Sequence, residues 1–187
     1  MKLLMRTALV LILVLTLSAC GSTGGKERFY TLSAPEPAAA TEGAPSLAVV
    51  SVTVPELVDR PQIVVRAGPN QVGINEQARW AEPLRGAIAR VVMANLAAAM
   101  NGKVAPQRGA DPDYRITLDV QRFESALGDG VLIDAVWSVA PKSGERRAGR
   151  TVAREKARGP DYDGLAAAHS AALASVSREI AAAIPKP

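Results

Sequence analysis

The sequence predicts an α+β domain of two layers, in which two long helices pack together on one face of a largely antiparallel sheet. Two stretches, near residues 83–100 and 163–184, repeat apolar residues at intervals of three and four, which is typical of amphipathic helices. Several other stretches alternate apolar with polar residues, which is typical of strands with one buried face. The 187 residues contain no internal repeat, and their number suits a single domain with a sizeable core.

The N-terminus has the layout of a secretory signal peptide. Lys2 and Arg6 precede an apolar run over residues 8–17, which is too short to span a bilayer. The sequence Leu-Ser-Ala-Cys that ends at Cys20 resembles the bacterial lipobox, at which the cysteine sulfur receives a diacylglycerol and the chain is cut before the cysteine. We therefore expect residues 1–19 to be a signal peptide and Cys20 to be the acylated first residue of the mature chain. The alternatives are an ordinary signal peptide with a cysteine at its cleavage site, or an uncleaved anchor.

No cofactor is expected apart from the covalent diacylglycerol and N-acyl chain on Cys20. A lipoprotein cysteine carries two or three acyl chains, whereas a single myristoyl chain, at about 0.8 kcal/mol per buried methylene, binds a membrane only reversibly. Gly21 and Ser22 follow the cysteine, where an aspartate in bacterial lipoproteins directs retention in the inner membrane. By resemblance to that sorting rule, we expect an outer-membrane lipoprotein that faces the periplasm.

The charge and cysteine content exclude some classes of function. The chain has 22 basic and 18 acidic residues, and removal of the signal peptide with Lys2 and Arg6 leaves 20 basic residues and a nearly balanced charge. Nucleic-acid binding needs a concentrated basic surface, so we expect no nucleic-acid partner. Cys20 is the single cysteine, so no disulfide can form within the chain.

Residues 20–45 are predicted to form a tether between the anchor and the domain, which we place at 46–187. Small residues over 21–26 and a Pro/Ala-rich stretch over 34–45 favour flexible or extended chain. Between them, β-favouring residues predict a short edge strand near 28–32 that contains Phe29 and Tyr30. The alternative is a mobile tether in which this aromatic pair is incidental.

The first half of the domain is predicted to contain three strands and one helix. A strand over 46–54 would place four side chains on one face, and Pro55 would stop it. A turn at 68–71 would join strands 62–66 and 72–74 in a hairpin. A helix from about Pro83 to Met100 would follow, with Asn101-Gly102 as its left-handed stop. The four strand residues are Ala48, Val50, Val52 and Val54, and the helix stripe is Trp80, Leu84, Ile88, Val91, Val92 and Leu96.

The second half is predicted to contain a short strand at 103–106, a three-stranded meander and a second helix. The meander strands are expected at 114–121, 131–140 and 150–157. The last of these strands places three cations, Arg150, Arg154 and Lys156, on one side. Asp163 is the expected cap of the second helix and Pro185 its end. The buried stripe of that helix is expected to be Leu165, His169, Ala172, Leu173, Val176, Ile180 and Ile184.

The sequence predicts no enzyme and no metal site. His169 is the sole histidine, and its place on an apolar helix stripe favours packing over catalysis. Histidine and cysteine ligands are too few for a metal site, and the nucleophile-elbow and phosphate-loop motifs are absent from the sequence. Carboxylates in turns, where turn formation and helix capping are their ordinary roles, are Asp111, Asp113, Asp161 and Asp163.

Several motifs together resemble the PqiC-like family of ABC-type transport auxiliary lipoprotein components, which are partners of MCE-type lipid transport systems. They are Phe-Tyr-Thr-Leu at 29–32 soon after the lipobox, the stretch VTVPELVDRPQIVVR at 52–66, and Trp-Ala-Glu-Pro-Leu at 80–84. The similarity covers essentially the whole mature chain and is most specific over 52–96. Residues 103–187 agree in pattern more than in motif.

The resemblance implies an outer-membrane domain that works beside inner-membrane transporter components and a periplasmic MCE-domain protein in lipid traffic and envelope integrity. It brings no catalytic residue. Since MCE proteins form rings, we expect several copies of this domain to form a homo-oligomeric ring. A general envelope scaffold without a transport role and a lipid hydrolase remain the alternatives. Candidate contacts with a partner or lipid, each with a structural role as its alternative, are Phe29, Tyr30, Arg60, Trp80, Arg150, Arg154 and Lys156.

Overall fold

The computed structural model describes residues 25–36, 39–101, 105–106 and 111–184. The predicted signal peptide, Cys20 and Pro185 lie outside these residues. The strands are β1 Arg28–Tyr30, β2 Ser46–Thr53, β3 Gln62–Gly68, β4 Gln71–Trp80, β5 Ala105–Pro106, β6 Tyr114–Ala126, β7 Gly130–Pro141 and β8 Arg147–Lys156. The helices are α1 Leu84–Ala99 and α2 Tyr162–Ala183.

The strands form two sheets. A three-stranded sheet has the order β1-β4-β3, and a five-stranded sheet has the order β5-β2-β6-β7-β8. The predicted hairpin is β3–β4 and the predicted meander is β6-β7-β8, both antiparallel, whereas β1–β4, β2–β5 and β2–β6 are parallel pairs. The α+β class and the largely antiparallel pairing are therefore confirmed, with the strands divided between two sheets instead of one.

The core lies between the helices and the five-stranded sheet. The helices pack against each other, α2 also packs against β7 and β8, and α1 packs against β2. Alternate side chains of β7 face the helices, as predicted, and both predicted helix stripes are buried. The buried β7 residues are Val131, Ile133, Ala135, Trp137 and Val139, and the fully buried helix residues include Ile88, Val92, Leu96, His169, Leu173 and Ile180.

Trp80 is the last residue of β4, so its prediction as part of the first helix stripe was wrong. Its backbone N–H donates to Pro61 O at 2.7 Å, and it lies opposite Tyr30 in the parallel β1–β4 pair. Pro83 ends the extended segment with φ −54° and ψ 128°, and the helix begins at the next residue. Residues 81–83 therefore separate Trp80 from Leu84, the first residue of the helix.

Strand β2 contains a bulge that the simple alternation did not predict. Val49 lies opposite Ile116 and Ser51 opposite Thr117, so Val50 is an extra residue. The bulge shifts the inward face by one position. Val50 is consequently 49% exposed. Val52, opposite Leu118, lies on the same face as Val49, opposite Ile116, so the predicted face of Ala48, Val50 and Val52 does not form.

Asp161 caps α2, whereas Asp163 was predicted to do so. The Asp161 carboxylate accepts a hydrogen bond from the Gly164 backbone N–H at 2.8 Å, and Asp163 lies in the first turn, where a negative charge favours the helix dipole. A Cβ at Gly164 would lie 2.7 Å from Arg158 O, so the residue at this position has to be glycine for the chain to approach so closely.

Residues 28–33 pack onto the folded unit, within the range predicted as a tether. Leu32 is 1% exposed, and the Ser33 N–H donates to Ser170 Oγ on α2 at 3.0 Å. The Arg90 side chain on α1 donates to Leu32 O at 2.9 Å. These contacts connect the segment after β1 to both helices.

Candidate functional site

Two of the motifs singled out in the sequence meet in one surface groove, which we call the motif groove. It has a volume of about 330 Å³ and is formed by residues 59–61 and 80–84. A turn in which the Val58 and Asp59 N–H groups donate to Pro55 O brings the first segment to the end of β4. The hydrogen bond between Trp80 N and Pro61 O then joins the two segments. Arg60 and Trp80, predicted as candidate contacts from positions twenty residues apart, therefore line the same groove.

Trp80 connects this groove to a buried aromatic cluster. It is 6% exposed, and its ring lies edge to face with Phe123 and with His169, each at 6.2 Å between ring centroids. His169 stacks on Phe123 with centroids 3.9 Å apart and planes 4° from parallel. Trp80 is thus primarily a core residue whose edge forms part of the groove wall.

His169 is a packed core residue. Its Nε2 lies 2.8 Å from Ser125 Oγ, and its Nδ1 is buried without a hydrogen-bond partner among the described residues. Complete burial lowers the pKa of His169 from 6.5 to about 3 because the charged imidazolium would be desolvated. The ring is therefore neutral at physiological pH and inaccessible to a substrate.

Arg60 is the one groove cation without a partner among the residues that the structure describes. Its exposed guanidinium makes no hydrogen bond or ion pair within them. In contrast, Asp59 pairs with Arg85 at 2.7 Å and Glu82 pairs with Arg90 at 2.5 Å. The groove thus combines apolar walls with one positive charge that is free to bind.

The two aromatic residues of β1 have different environments. Phe29 is 61% exposed on a strand at the edge of the three-stranded sheet. Tyr30 is half-buried, and its ring lies 5.8 Å from that of Tyr162 at the start of α2. Phe29 is therefore available for a contact, whereas Tyr30 fixes β1 to the helix.

The three cations predicted as a stripe on β8 divide into two groups. Arg150 makes a bidentate ion pair with Asp134, with Nε–Oδ1 at 2.8 Å and Nη2–Oδ2 at 2.7 Å. This pairing lowers the pKa of Asp134 and engages the Arg150 side chain in the fold. Arg154 and Lys156 are exposed and make no ion pair within the described part of the chain.

Arg154 and Lys156 line a second cavity, of about 440 Å³, at the end of the five-stranded sheet, which we call the sheet-end cleft. Arg66 from β3 lines the same cleft and pairs with Glu124 at 2.9 Å. Sequence reasoning missed Arg66 and Glu124, since their contact depends on how the hairpin packs against β6. Alternation of β8 was the sequence feature that indicated Arg154 and Lys156.

The carboxylates singled out from the turns have structural partners. Asp113 accepts hydrogen bonds of 2.8 Å from both the N–H and the hydroxyl of Ser46, and these bonds lower the pKa of Asp113. Asp111 binds Lys142 at 2.6 Å, which lowers the pKa of Asp111. Within the described ranges, His, Cys, Asp and Glu side chains do not cluster in threes as a metal site would require.

Neither α1 nor α2 is long and apolar enough to cross a membrane. The fold is that of a small α+β domain whose surface has a groove and a cleft, and whose turn carboxylates at Asp111, Asp113 and Asp161 are engaged in structural contacts. The chain belongs to the family of ABC-type transport auxiliary lipoprotein components, whose model matches residues 30–181. The predicted family is thereby confirmed.

Solved structures share this fold. One crystal structure, of an uncharacterized protein, is 23% identical, with a TM-score of 0.71, covering 86% of this chain and 100% of that one. A DUF330-family protein from Xanthomonas campestris is 24% identical, with a TM-score of 0.60, covering 82% of this chain and 92% of that one. No curated protein matches the sequence.

Proposed function

We propose that this chain is an outer-membrane-anchored periplasmic lipoprotein that acts as a non-enzymatic auxiliary subunit of an MCE/ABC-type lipid transport system and supports envelope integrity. The observation that carries the proposal is the family match over residues 30–181. Cys20 within its lipobox supplies the anchor in this proposal, as a diacylglycerol thioether with an N-acyl chain.

The absence of enzymatic activity is proposed from the state of the ionisable groups. A general acid or base has to reach a substrate and titrate near the working pH. His169 is buried and neutral, with its pKa lowered to about 3. Asp113 and Asp161 accept hydrogen bonds from the backbone N–H groups of Ser46 and Gly164. These groups hold the fold together and leave no evident catalytic set among the described residues.

The motif groove is the surface that we assign to the protein partner. Apolar walls and the unpartnered Arg60 suit a segment of an MCE-domain protein or of an inner-membrane component that carries an apolar side chain beside a carboxylate. Trp80 forms part of the groove wall and is itself packed in the core. Nucleic acid has no place in this proposal.

A homo-oligomeric ring is the assembly that we propose for binding to a ring-forming MCE partner. A single small domain would contact such a ring off-centre, whereas several copies could match its symmetry and leave the middle open for lipid. Strands β1 and β8 lie at sheet edges, and Phe29 is exposed on the first of them. Edge strands and exposed apolar side chains are typical features of subunit contacts.

Site-specific crosslinking in cells tests the partner assignment. A photo-crosslinking residue at position 60 should capture an MCE-domain protein, and one at position 146, an exposed arginine of the β7–β8 turn, should not. Capture at position 60 of only peptidoglycan or unrelated envelope proteins would favour the general scaffold instead. Phospholipid turnover by the purified protein would favour the lipid hydrolase.

A further inference from the structure

One end of the domain carries exposed aliphatic side chains beside unpaired cations. The turn of the β3–β4 hairpin and the β6–β7 turn lie at this end, which we call the hairpin end. Arg66, near the end of β3, contacts Glu124, near the end of β6, at 2.9 Å, so the two turns are neighbours. The exposed aliphatic residues are Val72 at 43%, Ile74 at 41% and Leu127 at 41%.

The register of the hairpin places its apolar residues on the cation side. Val72 lies directly opposite Arg66 and Ile74 opposite Val64, so both project from the hairpin face that carries Arg66. Arg66 lines the sheet-end cleft. Leu127 follows Ala126, another residue of that cleft, in the β6–β7 turn. Val72 and Leu127 are thus neighbours of the cleft residues Arg66 and Ala126, and Ile74 lies on the same hairpin face as Val72.

The acidic residues of the cleft leave two cations free. Glu124 is bound by both Arg66 and Arg122, the latter through contacts of 2.8 and 3.0 Å. Glu155 lies opposite the inward-facing Val131 and approaches Ser175 of α2, so it points toward the helix. Asp129, the remaining acidic residue, lies in the turn itself. Arg154 and Lys156 therefore keep their charges available at the cleft.

The chain enters the fold from the same end. Strand β1 runs parallel to β4, with Arg28 opposite Ala78, so the residues before β1 lie toward the hairpin end of β4. Gly25 lies beside Gln77, since a Cβ on it would be 3.5 Å from Gln77 Cγ. Cys20 is five residues earlier, a distance of at most about 18 Å for fully extended chain. An acyl anchor at Cys20 would hold the hairpin end close to the bilayer.

We propose that the hairpin end lies against the phospholipid membrane, with Val72, Ile74 and Leu127 in the interface and with Arg154 and Lys156 at the lipid phosphates. The orientation rests on the anchor at Cys20 in the proposed function. Clustered cations attract anionic headgroups, and exposed aliphatic side chains add interfacial burial. The opposite end, with the β7–β8 turn, then faces the periplasm.

Vesicle co-sedimentation tests this orientation without the anchor. The mature chain with Cys20→Ala is incubated with vesicles of phosphatidylethanolamine and phosphatidylglycerol, and with vesicles of phosphatidylcholine alone. We expect binding to the anionic vesicles. Because each cation contributes roughly fivefold near a charged surface, Arg154→Gln with Lys156→Gln should weaken the partition coefficient at least about tenfold. Arg115→Gln with Arg146→Gln removes the same charge at the other end and should leave binding within about threefold of the parent.

A second pair of double variants, one at the hairpin end and one elsewhere, tests the aliphatic residues. Val72→Asp with Ile74→Asp should abolish vesicle binding. Val50→Asp with Leu57→Asp adds the same negative charge at two sites that are each 49% exposed, and it should cause only the smaller loss expected from that charge. Melting curves establish that each variant is folded. Failure of the parent to bind anionic vesicles, or equal losses in both pairs, would overturn the proposed orientation. Acylation of Cys20 in cells is measured separately by lipid labelling, so a failure of the anchor is distinguishable from a failure of this surface.

Discussion

Trp80 and His169 meet edge to face, with ring centroids 6.2 Å apart, and this contact joins the end of β4 to the middle of α2. One edge of Trp80 also lines the motif groove. The groove wall therefore depends on a buried cluster that includes Phe123 and His169. Changes in this cluster should therefore lower the stability of the fold, whereas changes at the exposed Arg60 should alter the charge of the groove and leave the core intact.

His169→Ala should be destabilising and should leave the proposed partner binding intact wherever the protein stays folded. Because the ring is completely buried and stacked on Phe123, its removal leaves a cavity, and we expect a cost of about 2–3 kcal/mol in the free energy of unfolding. Chemical denaturation measures the cost. A folded His169→Ala protein that had lost its partner would contradict the purely structural role.

Stability should fall in mild acid because of the same residue. The pKa of His169 is about 3 in the folded protein and 6.5 when unfolded, so between these values the unfolded state binds the extra proton. The stability that the neutral His169 contributes is fully present above pH 6.5 and is lost as the pH falls toward 3. At pH 5 the loss relative to pH 7 should be about 2 kcal/mol. Denaturation of the parent and of His169→Gln at both values tests this, and an equal decrease in both proteins would contradict it.

Arg150→Gln should raise the pKa of Asp134. The bidentate contact of Arg150 is the main cause of the lowered pKa of this carboxyl group. A carboxyl group of depressed pKa contributes stability that is lost as the pH falls through that pKa, so the variant should lose less stability in acid. NMR titration of the Asp134 carboxyl carbon provides the measurement. An unchanged titration in Arg150→Gln would show that the ion pair does not persist in solution.

Gly164→Ala should destabilise the protein, and Gly86→Ala serves as its matched control in the other helix. A Cβ at Gly164 would lie 2.7 Å from Arg158 O, whereas nothing lies within 4 Å of one at Gly86. We expect a loss of about 1–3 kcal/mol at position 164 from steric strain. At position 86 we expect a gain of about 0.5–1 kcal/mol from helix propensity. Thermal melting of both variants tests the close approach at the start of α2, and equal effects would contradict it.

The periodic elements were predictable from the sequence because local patterning determines them. Apart from Trp80, both helix stripes and the β6-β7-β8 meander rest on repeats of apolar residues that tertiary structure did not override. The bulge at Val50 and the cap at Asp161 were not predictable in this way, since a one-residue insertion or a shift of a cap by two positions leaves the local pattern nearly unchanged. Trp80 was misassigned because a large apolar residue three positions before a helix fits the helical spacing.

The candidate surfaces were predictable only in part. The motifs drew attention to Arg60 and Trp80, but their approach in space depends on the β3–β4 hairpin that returns the chain to Pro61. Likewise, alternation on β8 placed Arg150 with Arg154 and Lys156. Only the register with β7 brings Asp134 close enough to bind Arg150 and leaves the other two cations free. These contacts depend on how strands pair with one another, so the local sequence alone does not determine them.

Cys20→Ala should abolish lipid labelling and leave a soluble or signal-anchored periplasmic protein. Several acyl chains on one cysteine are needed for a permanent anchor, and the chain has no second cysteine. Fractionation of cell membranes checks the prediction. Continued presence of the unlabelled variant in the outer-membrane fraction would show that another element holds the protein there.

Sedimentation of the purified domain with its MCE-domain partner tests the central claim of an auxiliary transport subunit most directly. The mature chain with Cys20→Ala should sediment as an oligomer, alone or once mixed with the MCE protein, and Arg60→Glu should weaken the mixed complex at least about tenfold if the charge contacts a partner carboxylate. Arg115→Glu should sediment with the partner as the parent does. A chain that stays strictly monomeric at high concentration and binds no MCE protein would contradict both the ring and the docking role.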